Sequence, residues 1–151
     1  MTSIVLVHPE IPHNTGAIGR TCVALDMELV LIRPYGFTLS DRQLKRAGLD
    51  YWQNVRLAEY ADWHGFVSDR QPRDGQMFLF EENGPRSFYE PEYPDDAILV
   101  FGSETKGLPR AIREAHRECE VSLPMRSSHI RSLNLANTVT AAAYQALRGK
   151  I

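Results

Sequence analysis

The chain has 151 residues, 43% of them hydrophobic and 24% charged, which is the balance of a single folded globular domain. Its formal net charge of −2 argues against a protein that binds nucleic acid non-specifically, although it is compatible with a local basic patch. No apolar run approaches the roughly 18 residues of a membrane span, and no basic segment precedes the first apolar run as in a signal peptide. We therefore expect a cytoplasmic protein with no membrane partner.

Short apolar runs alternate along the chain with segments of helical periodicity. In chain order we predict a strand at 4–7, a helix at 14–26 capped by Asn14, a strand at 29–32, helices at 41–47 and 60–69, strands at 76–80 and 97–101, a helix at 109–117, a strand at 121–124 and a helix at 132–147. This alternation predicts an α/β fold, a mostly parallel sheet with helices on both faces. Ligands in such sheets bind beyond the C-terminal ends of the strands, which directs attention to the loops after Phe80, Phe101 and Leu123.

Several common site motifs are incomplete in this sequence. The glycines of 102–107 have P-loop spacing, but Leu108 and Pro109 stand where lysine and a hydroxyl residue are required. Ser103 lacks the preceding glycine of a hydrolase nucleophile elbow. Neither the five histidines nor Cys22 and Cys119 have the spacing of metal ligands, so we predict no metal site.

Three other segments combine into a specific pattern: Asn-Thr-Gly-Ala-Ile-Gly-Arg at 14–20, Val-Phe-Gly-Ser-Glu-Thr-Lys-Gly-Leu-Pro at 100–109, and Leu-Pro-Met at 123–125 followed by Arg-Ser-Leu-Asn-Leu-Ala-Asn at 131–137. In this order and at these separations they resemble the three motifs of the SpoU-type RNA 2'-O-methyltransferases. The resemblance implies the SPOUT fold with a C-terminal trefoil knot, S-adenosyl-L-methionine (SAM) as cofactor with S-adenosyl-L-homocysteine (SAH) as product, and a homodimer. The knot is implied by the resemblance alone, because connections in folded proteins almost never thread loops.

Further segments at 11–16, 33–37 and 46–51 are similar to the small subfamily that methylates the wobble ribose of tRNA, and this match extends over essentially the whole chain. The subfamily has no added RNA-binding domain, so we expect residues 1–151 to form one SPOUT methyltransferase domain. Its members act on leucine tRNAs that carry cytidine or a modified uridine at the wobble position.

The resemblance assigns site residues one by one. It implies that Arg20 contacts the target ribose or phosphate, and that Ser132 bonds cofactor or substrate; their ordinary structural roles are a solvated arginine and a helix cap. Because an arginine with a pKa above about 12 is a poor base, we expect Arg20 to stabilise the developing alkoxide. Cofactor contacts are implied for Phe80, Gly102, Glu104, Leu123, Met125 and Ser132, and RNA contacts for Arg20, Arg126, Arg131 and Tyr144.

Some functional roles stay open at this point. Glu104 could also be a solvent-exposed acid in a loop, and Gly102 could also be a simple turn glycine. Asn134 is predicted to tie the knot loops together through its amide. The arginines at 110, 113 and 117, and the cluster of Arg42, Lys45 and Arg46, suit either RNA phosphates or a solvated face. Alternatives to the main hypothesis are 2'-O-methylation of rRNA or of another tRNA position, a SAM- or RNA-binding module without catalysis, and a metabolite-binding regulator that has no affinity for tRNA.

Overall fold

The computed structural model describes residues 1–40, 42, 46 and 51–151. Within them one six-stranded, wholly parallel sheet has the order β3-β2-β1-β5-β4-β6. The strands are β1 (Ser3–Val7), β2 (Glu28–Ile32), β3 (Arg56–Tyr60), β4 (Met77–Phe80), β5 (Ile98–Phe101) and β6 (Glu120–Val121). The α-helices are α1 (Pro12–Ala24), α2 (Trp63–Arg70), α3 (Arg110–Ala115) and α4 (Leu135–Ala146), with 3-10 turns at Trp52–Asn54 and Arg117–Cys119. The predicted α/β fold with a parallel sheet is confirmed.

Helices cover both faces of this sheet, which explains why its central strands are continuous apolar runs rather than alternating ones. Side chains that alternate along β1 enter different cores: Ile4 and Leu6 pack with α1 and α4, and Val5 and Val7 pack with α2 and α3. The first core includes Ile18 of α1. The C-terminal ends of the strands are consequently left to the connecting loops.

Strand β3 is absent from the sequence-based prediction. It pairs with β2 at the edge of the sheet, and its five residues are exposed or half-buried. An edge strand without an apolar face carries no clear period-two signal, so its sequence does not distinguish it from a loop.

Several helix boundaries also differ from prediction. Helix α1 begins at Pro12 in its first turn, so Asn14 is a buried residue inside the helix and not its cap. Helix α2 begins at Trp63 because the carboxylate of Asp62 accepts the backbone N–H of Gly65 at 2.8 Å. The predicted helix at 41–47 lies largely outside the described residues, as does Lys45.

The segment after β4 lies directly on the chain that leaves β6. Ser122 donates its backbone N–H to Arg86 and accepts the N–H of Phe88, at 3.0 and 2.9 Å. A Cβ atom at Gly84 would stand 2.6 Å from the carbonyl carbon of Val121, so only glycine allows this approach. The pairing of β6 therefore ends at Val121 instead of continuing to the predicted position 124.

Candidate active site

One cavity of about 350 Å³ opens at the C-terminal ends of β4 and β5. We call it the motif cavity, because residues of all three sequence motifs line it. All six residues that the sequence analysis assigned to the cofactor are among its lining residues: Phe80, Gly102, Glu104, Leu123, Met125 and Ser132. The lining also includes Asn14 of the first motif and Arg131 and Asn134 of the third.

Two glycines shape the second motif into a tight loop at the mouth of β5. The backbone N–H of Ser103 bonds the carbonyl of Gly107 at 3.2 Å, and the N–H of Gly107 bonds the carbonyl of Ser103 at 3.0 Å. Gly107 has a φ of +67°, in the left-handed region that favours glycine. A Cβ atom at Gly102 would lie 2.0 Å from the carbonyl carbon of Gly107, so the loop closes only over a bare glycine. Position 102 is thus more than a simple turn glycine.

Glu104 and Glu10 join the loops that follow β5 and β1. The carboxylate of Glu104 accepts the backbone N–H groups of Glu10 at 3.1 Å and Ile11 at 2.6 Å, at the N-terminus of α1. In return, the carboxylate of Glu10 accepts the N–H and the hydroxyl of Thr105, at 3.1 and 2.7 Å. These bonds from Thr105 hold the pKa of Glu10 below its ordinary value. Glu104 is therefore a positioning residue as well as a lining residue.

Glu10 and Glu81 are not among the residues predicted from the sequence. Glu81 directly follows β4 and lines the motif cavity, where its carboxylate accepts the backbone N–H of Leu108 at 2.6 Å. Burial raises the pKa of Glu81, against the lowering effect of the bond from Leu108. The available signal was position: each acid stands just beyond the C-terminal end of a fully buried strand, where a parallel sheet collects polar groups.

The third motif is built around Asn134. Its side chain accepts the N–H of Asn137 at 3.2 Å and thereby caps α4, so Ser132 is not the cap. Its amide also donates to the side-chain oxygen of Asn14 at 3.1 Å, which joins the third motif to the first. Ser132 remains exposed beside the cavity.

The four residues assigned to RNA are not gathered at the motif cavity of their own chain. Arg131 lines the cavity and lies 3.4 Å from Glu82, whereas Arg20, Arg126 and Tyr144 do not line it. The guanidinium of Arg20 lies on the exposed side of α1, 5.1 Å from the ring centre of Tyr51.

A second, more open cavity of about 1080 Å³ lies on the other side of the 103–107 loop and shares Ser103 and Gly107 with the motif cavity. The three arginines of the helical face predicted at 110, 113 and 117 line it. Arg110 pairs with Glu114 at 2.7 Å, and Arg113 pairs with Glu120 at 2.8 Å. These two carboxylates balance part of the positive charge that the arginines bring to the second cavity.

Among the described residues, His116, Glu118 and Cys119 place potential metal-binding atoms within 4.8 Å of one another. None of the three lines the motif cavity. Burial raises the pKa of the Cys119 thiol to about 11, which disfavours the thiolate that binds metals. No helix in the described parts of the chain is long and apolar enough to cross a membrane.

Comparison with known proteins agrees with the motifs. The SpoU rRNA methylase family matches residues 1–144. A protein of Listeria monocytogenes serotype 4b (strain F2365) is 46% identical over 148 residues, which are 96% of this chain and 86% of that protein. The tRNA (cytidine(34)-2'-O)-methyltransferase of Burkholderia cenocepacia (strain HI2424) is 42% identical over 149 residues, 98% of this chain and 95% of that enzyme.

Solved structures give the same result. A solved structure described as giving structural insights into the 2-OH methylation of C/U34 on tRNA superposes on this chain with a TM-score of 0.92 at 42% sequence identity. The superposition covers 98% of this chain and 95% of that chain. The SpoU methyltransferase AviRb from Streptomyces viridochromogenes in complex with AdoMet superposes with a TM-score of 0.83 at 25% identity, over 98% of this chain and 60% of that one. The chain therefore belongs to the SpoU rRNA methylase family and is a methyltransferase.

Proposed function

We propose that this protein transfers the methyl group of SAM to the ribose 2'-hydroxyl of the wobble nucleotide, cytidine or modified uridine 34, of leucine tRNAs, leaving SAH as product. The observation that carries the proposal is the motif cavity, because one cavity at the C-terminal edge of the sheet collects residues from all three motifs. Relatives at 42% identity over almost the full length are named for methylation at position 34 of tRNA, which supports the choice of nucleotide.

The motif cavity fits SAM in size and in the chemistry of its lining. Its volume of about 350 Å³ lies at the lower end of the range for ligand pockets. At Gly102 the space of the missing Cβ is taken by the backbone of Gly107 and Leu108, so this glycine lets the 103–107 loop close and form one wall of the cavity. Leu123 and Met125 supply apolar walls suited to adenine, with Phe80 beside them, and Ser132 supplies a hydroxyl. When bound, SAM supplies an activated methyl group, so the protein's task is to orient the acceptor and stabilise charge.

Arg20 carries the role of stabilising the 2'-oxygen as it becomes negative. Such electrostatic stabilisation by a fixed donor is often the largest contribution to catalysis. Since Arg20 does not line the cavity of its own chain, we assign it to the site of a second copy in a homodimer. Exposed apolar side chains that line the motif cavity support this arrangement: Ile11, Met125 and Leu133.

RNA contacts are assigned to Arg126, Arg131 and Tyr144, of which Arg131 lines the motif cavity. Wobble nucleotides lie in a loop, whose unpaired bases can be turned outward and read, so a compact chain can present one nucleotide to the cavity. The trefoil knot stays a prediction; the close contact of 84–88 with 121–122 is consistent with a chain folded back on itself there.

The proposal is tested by transfer of labelled methyl from SAM to tRNA from cells that lack this protein, followed by nuclease digestion to identify the labelled nucleotide. We expect label in a 2'-O-methylated nucleotide 34 of leucine tRNAs. Label at another tRNA position, or only in rRNA, would replace the proposed substrate. Binding of SAM without transfer to any RNA would support a module without catalysis.

The variant Arg20→Ala tests the mechanism. We expect turnover to fall by about 100-fold or more, the range observed for removal of one oxyanion-stabilising donor. The matched control is Arg56→Ala, which removes an exposed arginine at the N-terminal end of β3, where it pairs with Asp26. Full turnover by Arg20→Ala, from protein as stable as the control, would remove Arg20 from the mechanism.

A further inference from the structure

Acidic side chains dominate the charge around the motif cavity. Among the described lining residues, three are carboxylates, Glu81, Glu82 and Glu104, and one is a guanidinium, Arg131. Arg131 lies 3.4 Å from Glu82, so these two charges offset one another at the exposed rim. Glu104 is held by two backbone N–H groups at the start of α1, where the helix dipole also favours a negative charge. A net negative charge remains around the cavity.

Glu81 is a partly buried carboxylate on the wall of this cavity. Its side chain is only 10% exposed, and its carboxylate accepts uncharged backbone N–H groups, those of Leu108 at 2.6 Å and of Glu82. Arg113 lies 4.0 Å away, but it makes its short contact of 2.8 Å with Glu120 on the other side. Two carboxylates therefore share one guanidinium, and the trio of Glu81, Arg113 and Glu120 has a charge of −1 when all are ionised.

We propose that Glu81 makes the motif cavity select SAM over SAH by charge, an inference that rests on the proposed function. The two ligands have nearly the same shape, but the sulfur of SAM is positively charged and that of SAH is neutral. A fixed negative charge on a partly buried wall stabilises the cation more than its neutral counterpart. Glu81 thus favours binding of the donor and release of the spent product, and it acts as a specificity residue of the cofactor cavity.

A purely structural role for Glu81 predicts a different result. Its bond to Leu108 holds the end of the 103–107 loop, so loss of that bond would weaken both ligands equally. Glu81→Gln keeps an oxygen that can accept the N–H of Leu108 and removes only the charge. The ratio of the two dissociation constants therefore separates charge selection from loop support.

The test measures Kd for SAM and for SAH by titration calorimetry with the full chain. For Glu81→Gln we expect the ratio Kd(SAH)/Kd(SAM) to fall about tenfold, because the charge that attracts only the positively charged sulfur of SAM is removed. The loss should lie in SAM affinity, and Glu81→Asp should stay nearer to the wild type. If Glu81→Gln does not fold, Glu81→Met, an uncharged side chain of similar length, serves in its place.

The matched control is Glu92→Gln, which removes one charge from an exposed acid that does not line the cavity and should leave the ratio unchanged. An unchanged ratio in Glu81→Gln, or equal weakening of both ligands, would overturn the inference while the proposed function stands. Failure of the wild-type protein to bind either ligand would instead overturn the proposed function, and the inference with it.

Discussion

Replacement of Gly102 by alanine tests whether the tight loop after β5 creates the motif cavity. The added Cβ atom would lie 2.0 Å from the carbonyl carbon of Gly107 and 2.1 Å from the nitrogen of Leu108. Both are backbone atoms, so no side-chain rotation can relieve the overlap. To reach an ordinary contact of 3.4 Å, the two segments must separate by 3.4 − 2.0 = 1.4 Å.

A movement of this size breaks the hydrogen bonds that close the loop. They are the two bonds between Ser103 and Gly107 and the bond from Leu108 to Glu81. At about 1 kcal/mol net for each bond, their loss costs about 3 kcal/mol, and overpacking adds about 1–3 kcal/mol. We therefore expect the free energy of unfolding to fall by about 4–6 kcal/mol, a large part of the total stability of an ordinary domain.

Urea unfolding gives this free energy, and calorimetry gives SAM binding by the protein that remains folded. The matched control is Gly36→Ala, because nothing lies within 4 Å of a Cβ atom at that position. The control should stay within about 1 kcal/mol of the wild type. A Gly102→Ala protein as stable as this control, and with wild-type affinity for SAM, would refute the argument that a bare backbone at position 102 shapes the cavity.

Two further predictions concern positions outside this loop. Asn134→Ala removes both the cap of α4 and the bond to Asn14, and should lower the free energy of urea unfolding by about 1–3 kcal/mol; an unchanged value would mean that neither bond stabilises the protein. Burial raises the pKa of Glu28, but hydrogen bonds from Arg70 and Ser3 lower it further, to a net value below the ordinary 4.5. A lowered pKa stabilises the folded state above the unfolded pKa, and this contribution is lost as the pH falls through the folded pKa. The wild type should therefore lose stability more steeply than Glu28→Gln below about pH 4.5, and parallel pH profiles would contradict this.

The local sequence pattern was sufficient to predict the buried strands, the fold class and the family. Buried strands such as Ile98–Phe101, predicted at 97–101, are continuous apolar runs, and the alternation of strands and helices predicts the parallel sheet. The three motifs identified the family, and all six residues assigned to the cofactor line one cavity. Their roles in binding SAM stay predictions until affinity is measured.

Features that depend on distant partners needed the tertiary structure. The edge strand β3 exists because β2 offers it a hydrogen-bonding edge, and no apolar alternation marks it in the sequence. The functions of Glu10 and Glu104 depend on contacts between residues more than 90 positions apart. Whether a glutamate such as Glu81 is a solvated loop acid or a charge on a cavity wall depends on what surrounds it. The sequence by itself determined the fold class, the family and six of the residues that line the cavity. The tertiary structure alone decided which charges face that cavity, because the burial and pairing of a side chain depend on neighbours that are distant in the sequence.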